Sequence, residues 1–167
     1  DTRITGVRLS TSTKSTVVKG FGESPLGLED DLPQVVALVA EQAGFDGEES
    51  RVSLRGDLFS LRNGSLPFRN SAKISQVLPF ELEEQYSIDA STHQIDFLFK
   101  DKNGKDGEVL AAVVATESIA EMLSTLQAAG IDPDIITLGG NPFLPYLKTV
   151  EGEESSFLIL DIEMSYI

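Results

Sequence analysis

The stretch that decides the fold runs from Leu58 to Leu138 and opens with LFSLRNGSLPFRNSAKISQVLPFELEEQY. Its apolar residues change from alternation to helical spacing and back, which predicts the order strand, helix, strand, strand, helix, strand. This β-α-β-β-α-β order is that of the split-βαβ, ferredoxin-like unit. Because that fold carries many unrelated functions, the order alone assigns no activity.

The first helix of the stretch is predicted to begin at Asn70 or Ser71, since both residue types are good N-caps. Pro79 lies inside this helix, where it removes a backbone donor and clashes with the preceding turn at a cost of about 3 kcal/mol. We therefore expect a kink near residues 75–78. The apolar positions predicted to face the core repeat with helical spacing and are Ile74, Val77, Leu78 and Leu82.

Other local patterns in the stretch predict a turn, a second helix and the remaining strands. Asn63-Gly64 between apolar alternations predicts a two-residue hairpin turn. Thr116 is expected to cap the second helix and Gly130 to end it. Both helices are expected to cover one face of the sheet. The buried stripe of the second helix is predicted to be Ile119, Met122, Leu123 and Leu126. The other strands are predicted at Gln94–Lys100, Val109–Ala115 and residues 135–138.

The residues before this stretch predict strands followed by a helix. Ile4–Phe21 indicates one or two strands with a turn at Ser10–Ser15, and Gly22–Leu28 indicates a loop. Asp31 is a good N-cap for the helix that follows, and Gly44 suits its end.

The composition excludes several classes of protein. Acidic residues outnumber basic ones by 27 to 13, which gives a formal charge of −14, and such a polyanion repels nucleic acid and anionic lipid. The absence of cysteine rules out disulfides, thiolate zinc sites and thiol catalysis. No apolar run approaches the ~20 residues of a membrane span, so we expect no direct membrane insertion by this chain. We also expect no nucleic acid partner.

Residues that could carry out catalysis or hold a metal are few. His93 is the only histidine, so a zinc site or a Ser-His-Asp triad would need residues brought close by the fold. Adjacent helix positions point about 100° apart, so Glu83 and Glu84 do not converge on one ligand, and a solvated or docking face is the better interpretation. Gly139-Gly140 belongs to no phosphate-binding motif. We therefore predict no catalytic residue, no cofactor-binding residue and no metal ligand.

The order and spacing of several segments resemble one family with two branches, the secretion branch with the cytoplasmic domain of the type II secretion protein GspL and the pilus branch with the type IV pilus protein PilM. The similarity covers most of the chain from Val52 onward and, more weakly, Ile4–Phe21. The segments that carry it are Ser65-Leu66-Pro67-Phe68, ISQVLPFELEE from Ile74 to Glu84, Ile95-Asp96-Phe97, Val109–Ala115, Ala128–Pro133 and Leu158–Ile162.

The resemblance implies an α/β fold with mixed sheets, in which an actin-like (ribonuclease H-like) first domain carries an inserted ferredoxin-like β-α-β-β-α-β subdomain. Residues 1–57 and 139–155 would form the partial actin-like subdomain, and residues 58–138 the insertion. Residues 156–167 would supply the strand that opens a second half, most of which is missing here.

The resemblance also implies a non-enzymatic scaffold in the cytoplasm, at the face of the inner membrane. Such a scaffold would link the secretion or pilus assembly ATPase to a small inner-membrane assembly protein or its cytoplasmic tail. The pilus branch binds ATP, but its first phosphate loop is not in this chain, and Asp161-Ile162-Glu163 has glutamate where that branch has glycine. Because a glutamate crowds and repels a phosphate, we expect no cofactor and no nucleotide binding.

Two alternatives stay open. One is an actin-like ATP-binding protein with weak or regulatory ATPase activity. The other is an unrelated ferredoxin-like enzyme that uses the acidic residues around Glu81 and His93, which a pocket gathering these groups would favour.

Phe80, Glu81, Glu83 and Glu84 are the candidate partner-binding residues. A break at Pro79 would leave the Phe80 ring less committed to the helix, and the three carboxylates would attract a basic segment. The resemblance implies a groove at this place, between the insertion and the first domain, for a peptide or domain of the secretion apparatus. The competing interpretation places Phe80 in the core and the glutamates in water.

Overall fold

A computed structural model describes residues 2–47, 49–100 and 106–139 of the 167-residue chain. Strands and helices are mixed in an α/β fold, as predicted. The elements are β1 (Thr2–Thr11), β2 (Thr16–Leu26), α1 (Leu32–Ala43), β3 (Arg51–Leu54), β4 (Phe59–Leu66), α2 (Ser71–Tyr86), β5 (His93–Phe99), β6 (Gly107–Ala115), α3 (Thr116–Ala128) and β7 (Ile135–Leu138). The predicted strand within 156–167, Glu163, and residues 140–155 lie outside the described part of the chain.

The described residues divide into two compact units. The first unit contains residues 2–47, 49–52 and 122–139, and the second unit is Ser53–Glu121. The boundaries fall within β3 and α3. An insertion was predicted over residues 58–138, whereas the compact second unit ends at Glu121.

In the first unit, β1 and β2 form an antiparallel hairpin. Its turn lies where the sequence predicts it, with the Ser12 N–H donating to the Ser15 carbonyl at 2.8 Å. Strand β2 extends to Leu26, so the prediction of a loop from Gly22 onward is wrong for most of that segment.

Helix α1 lies very close to one face of this hairpin. A Cβ atom on Gly22 would lie 2.2 Å from the Val39 carbonyl oxygen, and one on Gly20 would lie 1.9 Å from the Ala43 carbonyl oxygen. No side chain fits at either position, because helix backbone and strand backbone are in contact there. Gly22 thus marks a close approach inside a strand, which is why its usual meaning as a loop residue misleads.

Both ends of α1 form as the sequence predicts. The Asp31 Oδ1 atom accepts from the Gln34 backbone N–H at 3.2 Å, and the Gln34 amide Nε2 donates to Asp31 Oδ2 at 3.1 Å. Gly44 ends the helix with a φ of 74°, in the left-handed region that glycine adopts without strain.

The second unit is a three-stranded antiparallel sheet, in the order β4-β6-β5, with α2 on one face. Its core lies between that helix and the sheet. The buried side chains of this core are Leu66, Ile74, Leu78, Leu82, Val109, Ala111 and Val113. Phe68, Ile88, Ile95, Phe97 and Phe99 pack around them.

The predicted hairpin turn at Asn63-Gly64 is wrong. Both residues lie within the continuous strand β4, where Asn63 pairs with Leu110 and Gly64 with Val109 of β6. A Cβ atom on Gly64 would lie 2.8 Å from Leu78 Cδ1 on α2. This glycine makes room for the helix side chain above the sheet, a use of glycine that the dipeptide pattern does not distinguish from a turn.

Helix α2 begins after Asn70, whose Oδ1 accepts from the Lys73 N–H at 2.9 Å, as predicted. It then runs unbroken to Tyr86 with Pro79 inside it. The reason is tertiary packing. Ile74, Leu78 and Leu82 are completely buried, and burial of each contributes about 1.5–3 kcal/mol. Together they exceed the ~3 kcal/mol cost of an interior proline.

The last strand of the predicted ferredoxin-like unit is placed differently. Strand β7 pairs with β3 in a separate two-stranded sheet, so the prediction of a four-stranded sheet over residues 58–138 is wrong. Hydrogen bonds at the start of this sheet fix the pairing: the Asp134 N–H donates to the Ser50 carbonyl at 3.0 Å, and the Ser50 N–H donates to Asp134 Oδ2 at 2.9 Å. A short apolar strand does not specify its neighbour by its place in the sequence.

The prediction that α2 and α3 cover the same face of one sheet is also wrong. In the described part of the chain, the core of the three-stranded sheet contains residues of α2 and none of α3. Of the predicted α3 stripe, only Leu126 is fully buried, at 7% exposure. Met122 and Leu123 are half-buried and belong to the first unit.

Candidate partner-binding surface on helix α2

The outward face of α2 is centred on Phe80. Because Ile74, Leu78 and Leu82 point into the core, the helix turns residues 76, 80 and 83 toward the opposite side. The Phe80 side chain is 68% exposed, and Val77, one turn earlier, is 39% exposed. The interpretation that places Phe80 in the core is therefore wrong. An exposed phenylalanine on a helix whose inner face is completely buried is an available apolar contact.

The carboxylates predicted for this surface flank the ring. Glu83 and Glu84 lie three and four residues after Phe80, the two spacings at which helix side chains are neighbours, and both are exposed. Glu81 is half-buried at the edge of the face. Among the described residues, no cation forms an ion pair with any of the three. Two exposed carboxylates without an ion-pair partner among the described residues therefore lie about one helical turn beyond the exposed ring.

The end of this surface is fixed to the sheet. The Tyr86 hydroxyl donates to the Asn63 carbonyl at 3.1 Å, and the Arg62 guanidinium lies 5.4 Å from the centre of the Tyr86 ring. These contacts join the last turn of α2 to strand β4. Phe80 thus lies in a continuous helix. The expectation that a break at Pro79 frees its ring is wrong, and the exposure of the ring comes from its position on the helix.

His93 does not meet the glutamates in one concave site. A shallow concavity beside His93 is lined by Asp57, Ser60 and Ser118 together with apolar neighbours, and it contains no glutamate. The imidazole Nδ1 contacts Thr92 Oγ1 at 3.0 Å and the Asp89 carbonyl at 2.9 Å. The ring is therefore held by its own loop. The gathering of acidic groups around Glu81 and His93, which the enzyme alternative requires, is not observed in the described residues.

Two carboxyl groups near this concavity have altered acidity. A hydrogen bond from the Arg55 guanidinium holds the pKa of Asp57 below its ordinary value, and the Ser91 hydroxyl and backbone N–H do the same for the pKa of Asp89. Both aspartates are exposed, so these are local surface interactions. Neither points to acid–base chemistry at the concavity.

No group of three histidine or acidic side chains that could hold a metal ion occurs in the part of the chain that the structure describes. Within the same residues, no helix has the length and apolar character needed to cross a membrane.

Sequence reasoning missed a second exposed surface, on the β1–β2 hairpin. Its large apolar side chains Val7, Leu9, Val18 and Phe21 are each 52–64% exposed. The spacing of glycines in this hairpin could have predicted the surface. Gly6, Gly20 and Gly22 occupy the face that α1 approaches, so the alternate positions must belong to the opposite face.

Solved structures share this fold. The PilM-PilN type IV pilus biogenesis complex contains a chain that matches with a TM-score of 0.71 at 17% identity, over 89% of this chain and 48% of that chain. The cytoplasmic domain of EpsL, an inner membrane component of the type II secretion system of Vibrio cholerae, matches with a TM-score of 0.56 at 18% identity, over 81% of this chain and 57% of that chain.

The chain thus spans about half the length of these two solved structures. No family model and no curated protein matches its sequence. The two matches nevertheless agree with the resemblance to PilM and GspL that the sequence motifs indicate, although the identities are low. The chain has the fold shared by PilM and the cytoplasmic domain of EpsL.

Proposed function

We propose that the protein is a non-enzymatic scaffold of a bacterial type II secretion or type IV pilus machine. The observation that carries this proposal is the fold shared over most of the chain with components of both machines. The face of α2 that carries Phe80, Glu83 and Glu84 supports a binding role, because it is exposed and these glutamates form no ion pair with any described residue. The lowered pKa values of the exposed Asp57 and Asp89 are explained by hydrogen bonds from neighbouring surface groups.

The full protein would have an actin-like first domain, built partly from residues 1–57 and 139–155, with the second unit as its insertion. It would lie in the cytoplasm at the inner-membrane face. There it would join an assembly ATPase to a small inner-membrane assembly protein or its cytoplasmic tail. The name of the PilM-PilN complex supports the idea of such a partner, since that relative in fold assembles with a second protein.

The α2 surface would receive a basic segment of a partner. A chain of charge −14 attracts cationic segments at long range, and Glu83 and Glu84 place two of these charges beside the exposed Phe80 ring. An arginine of the partner would stack on that ring while its guanidinium meets a carboxylate, an arrangement that combines cation–π and ionic contacts. Exposed charges of this kind determine association rate and salt dependence more than affinity.

The test is the double charge reversal Glu83→Lys with Glu84→Lys, measured against the assembly ATPase and the inner-membrane partner at two salt concentrations. We expect weaker binding to one of them, and wild-type binding that declines as salt screens the attraction. The matched control is Glu29→Lys with Glu108→Lys, two exposed glutamates without an ion pair in the described residues, which changes the net charge equally. Unchanged affinity for both partners in the α2 variant would remove this helix from the binding site.

The scaffold hypothesis also predicts that this chain does not bind nucleotide. Titration of Mg-ATP into the purified chain should give no saturable heat and no rise in melting temperature. A ligand present at about 100 times its dissociation constant would stabilise the protein by about 2.7 kcal/mol, which a melting curve detects readily. Saturable binding would instead support the actin-like ATP-binding alternative.

A further inference from the structure

The face of the β1–β2 hairpin opposite α1 carries a continuous apolar surface. Val7 pairs directly with Phe21 across the two strands, and Leu9 pairs with Val18. Their exposed fractions are 54%, 55%, 52% and 64% in that order. Cross-strand partners on one face have Cβ atoms about 5 Å apart, so the four side chains form one patch. We call these four residues the hairpin patch.

A β-bulge gives the patch its shape and a charged border. Arg8 pairs with Gly20 while Leu9 pairs with Val18, which leaves Lys19 as the extra residue of β2. The extra residue restores Val18 to the same face as Phe21, although the two are three positions apart. Lys19 also lines a polar concavity beside Leu9. The patch thus has a lysine at the place where its two apolar pairs meet.

The hairpin has the opposite charge to the rest of the chain. Residues 2–26 contain four cations and one carboxylate, a formal charge of +3, whereas the whole chain carries −14. Arg3 is neutralised by Glu23 and Arg8 by Asp46, each at 2.6 Å. Lys14 and Lys19 have no carboxylate partner among the described residues. The hairpin is therefore a basic, apolar surface on an acidic protein.

These observations decide between three possible occupants. A second copy would bring two chains of −14 together, and an anionic membrane would present a large charged surface to the same chain, so both are opposed by long-range repulsion. A short segment meets only the local field of the hairpin, within roughly one Debye length of about 10 Å. Apolar side chains with an acidic border on such a segment would match the patch and the two lysines, Lys14 and Lys19.

We propose that the hairpin patch docks an acidic amphipathic helix supplied by a partner protein. Its apolar stripe would lie across the Val7–Phe21 and Leu9–Val18 pairs, and its carboxylates would meet Lys19 and Lys14. This surface is separate from α2 and opposite to it in charge. The scaffold would then hold two partners of opposite chemistry, a basic segment on the second unit and an acidic one on the first. The hairpin proposal does not depend on the proposed function of α2.

The experiment uses two synthetic 18-residue amphipathic peptides with the same leucine and alanine positions, one with glutamate and one with lysine at the polar positions. Binding to the whole chain is measured by fluorescence anisotropy. We expect saturable binding of the glutamate peptide that Val18→Asp with Phe21→Asp weakens at least about tenfold. Lys19→Glu should weaken it less and reduce its salt dependence. The three substituted side chains, Val18, Phe21 and Lys19, are all exposed, so melting curves should stay unchanged.

The control variant is Val17→Asp. Val17 pairs with Ser10 and is 48% exposed, but it lies on the other side of the hairpin from Val18. It should leave binding of the glutamate peptide unchanged, as should the Glu83→Lys and Glu84→Lys reversal on α2. The latter comparison separates failure of this proposal from failure of the α2 proposal.

Three results would overturn the proposal. A dissociation constant above about 1 mM for the glutamate peptide would show that the patch has no such affinity. An equal loss in the Val17→Asp variant would show a non-specific effect of added charge. The third result is failure of the peptide to bind together with another interaction that Phe21→Asp abolishes. If that interaction is sedimentation with phosphatidylglycerol vesicles, the patch belongs to a membrane contact. If it is concentration-dependent self-association, the patch belongs to a contact with a second copy.

Discussion

Both units of this protein place a helix on an antiparallel sheet, but they fill the space between the layers in opposite ways. In the first unit the backbone of α1 touches the strand at Gly20 and Gly22, where no side chain fits. In the second unit Ile74, Leu78 and Leu82 of α2 occupy the gap and are completely buried. The packing of α1 on its hairpin requires glycines without side chains, and the packing of α2 on its sheet requires large side chains.

This difference predicts opposite responses to mutation. Where large side chains fill a core, removing atoms leaves a cavity and costs stability. Where backbones touch, adding a single methyl group forces the layers apart. Substitutions in each direction therefore test whether the two interfaces are packed as described.

The largest effect is expected from Leu78→Ala in the second unit. The side chain is completely buried in the core between α2 and the sheet, so its truncation should cost about 2–5 kcal/mol of unfolding free energy. Urea unfolding followed by circular dichroism measures this. Val77→Ala, at a position 39% exposed on the same helix, is the control and should stay within about 0.5 kcal/mol. Equal losses from both would contradict the assigned orientation of α2.

A smaller loss is expected from Gly22→Ala in the first unit. The added methyl group would lie 2.2 Å from the Val39 carbonyl oxygen, and such overpacking typically costs about 1–3 kcal/mol. The same unfolding measurement applies. A neutral or stabilising effect would mean that α1 does not lie against the strand as closely as described.

Gly64→Ala sharpens the comparison within the second unit. Its added methyl would lie 2.8 Å from Leu78 Cδ1, the far end of a side chain that can change rotamer. Relief of the glycine penalty in a strand, roughly 0.5–1 kcal/mol, offsets part of the remaining strain. We expect a net change below about 1 kcal/mol, smaller than that of Gly22→Ala. A larger loss would show that Leu78 cannot move.

The smallest expected effect concerns acid. The two aspartates whose pKa values are lowered, Asp57 and Asp89, both lie in the second unit. A carboxyl group with a lower pKa in the folded state contributes stability above its unfolded pKa of 3.8, and the contribution disappears as pH falls through the folded value. Ser91→Ala should therefore slightly reduce stability at neutral pH and leave it unchanged at very low pH. An equal loss at both pH values would contradict this assignment.

Local signals in the sequence are sufficient for helix ends. The Asp31 cap, the Asn70 cap and the Gly44 stop form as predicted because each uses hydrogen bonds or backbone angles within a few residues. The same local rules fail at Asn63-Gly64 and Gly22. At both positions glycine is required by a helix that is distant in sequence, and a short pattern cannot distinguish that need from a turn.

Contacts between distant strands were the least predictable feature. The sequence of Ile135–Leu138 does not predict that this strand pairs with β3, since a short apolar strand can pair with any sheet edge. For the candidate site, the sequence placed Phe80, Glu83 and Glu84 on one helix, and all three side chains are exposed there; that they bind a partner stays a prediction. The prediction from sequence attributed the availability of the Phe80 ring to a break at Pro79, whereas the ring is exposed because of which residues of a continuous helix face the sheet.

The pairing of Ser50 with Asp134 has a consequence for the order in which the chain folds. The two residues are 84 positions apart, and most of the residues between them belong to the second unit. During synthesis, the second unit leaves the ribosome before Asp134 does, so it has all of its own strands while β3 still lacks its neighbour. Its early folding would replace a long disordered loop by a compact body and lower the entropic cost of closing it. The first unit is then completed last, although it contains the beginning of the chain.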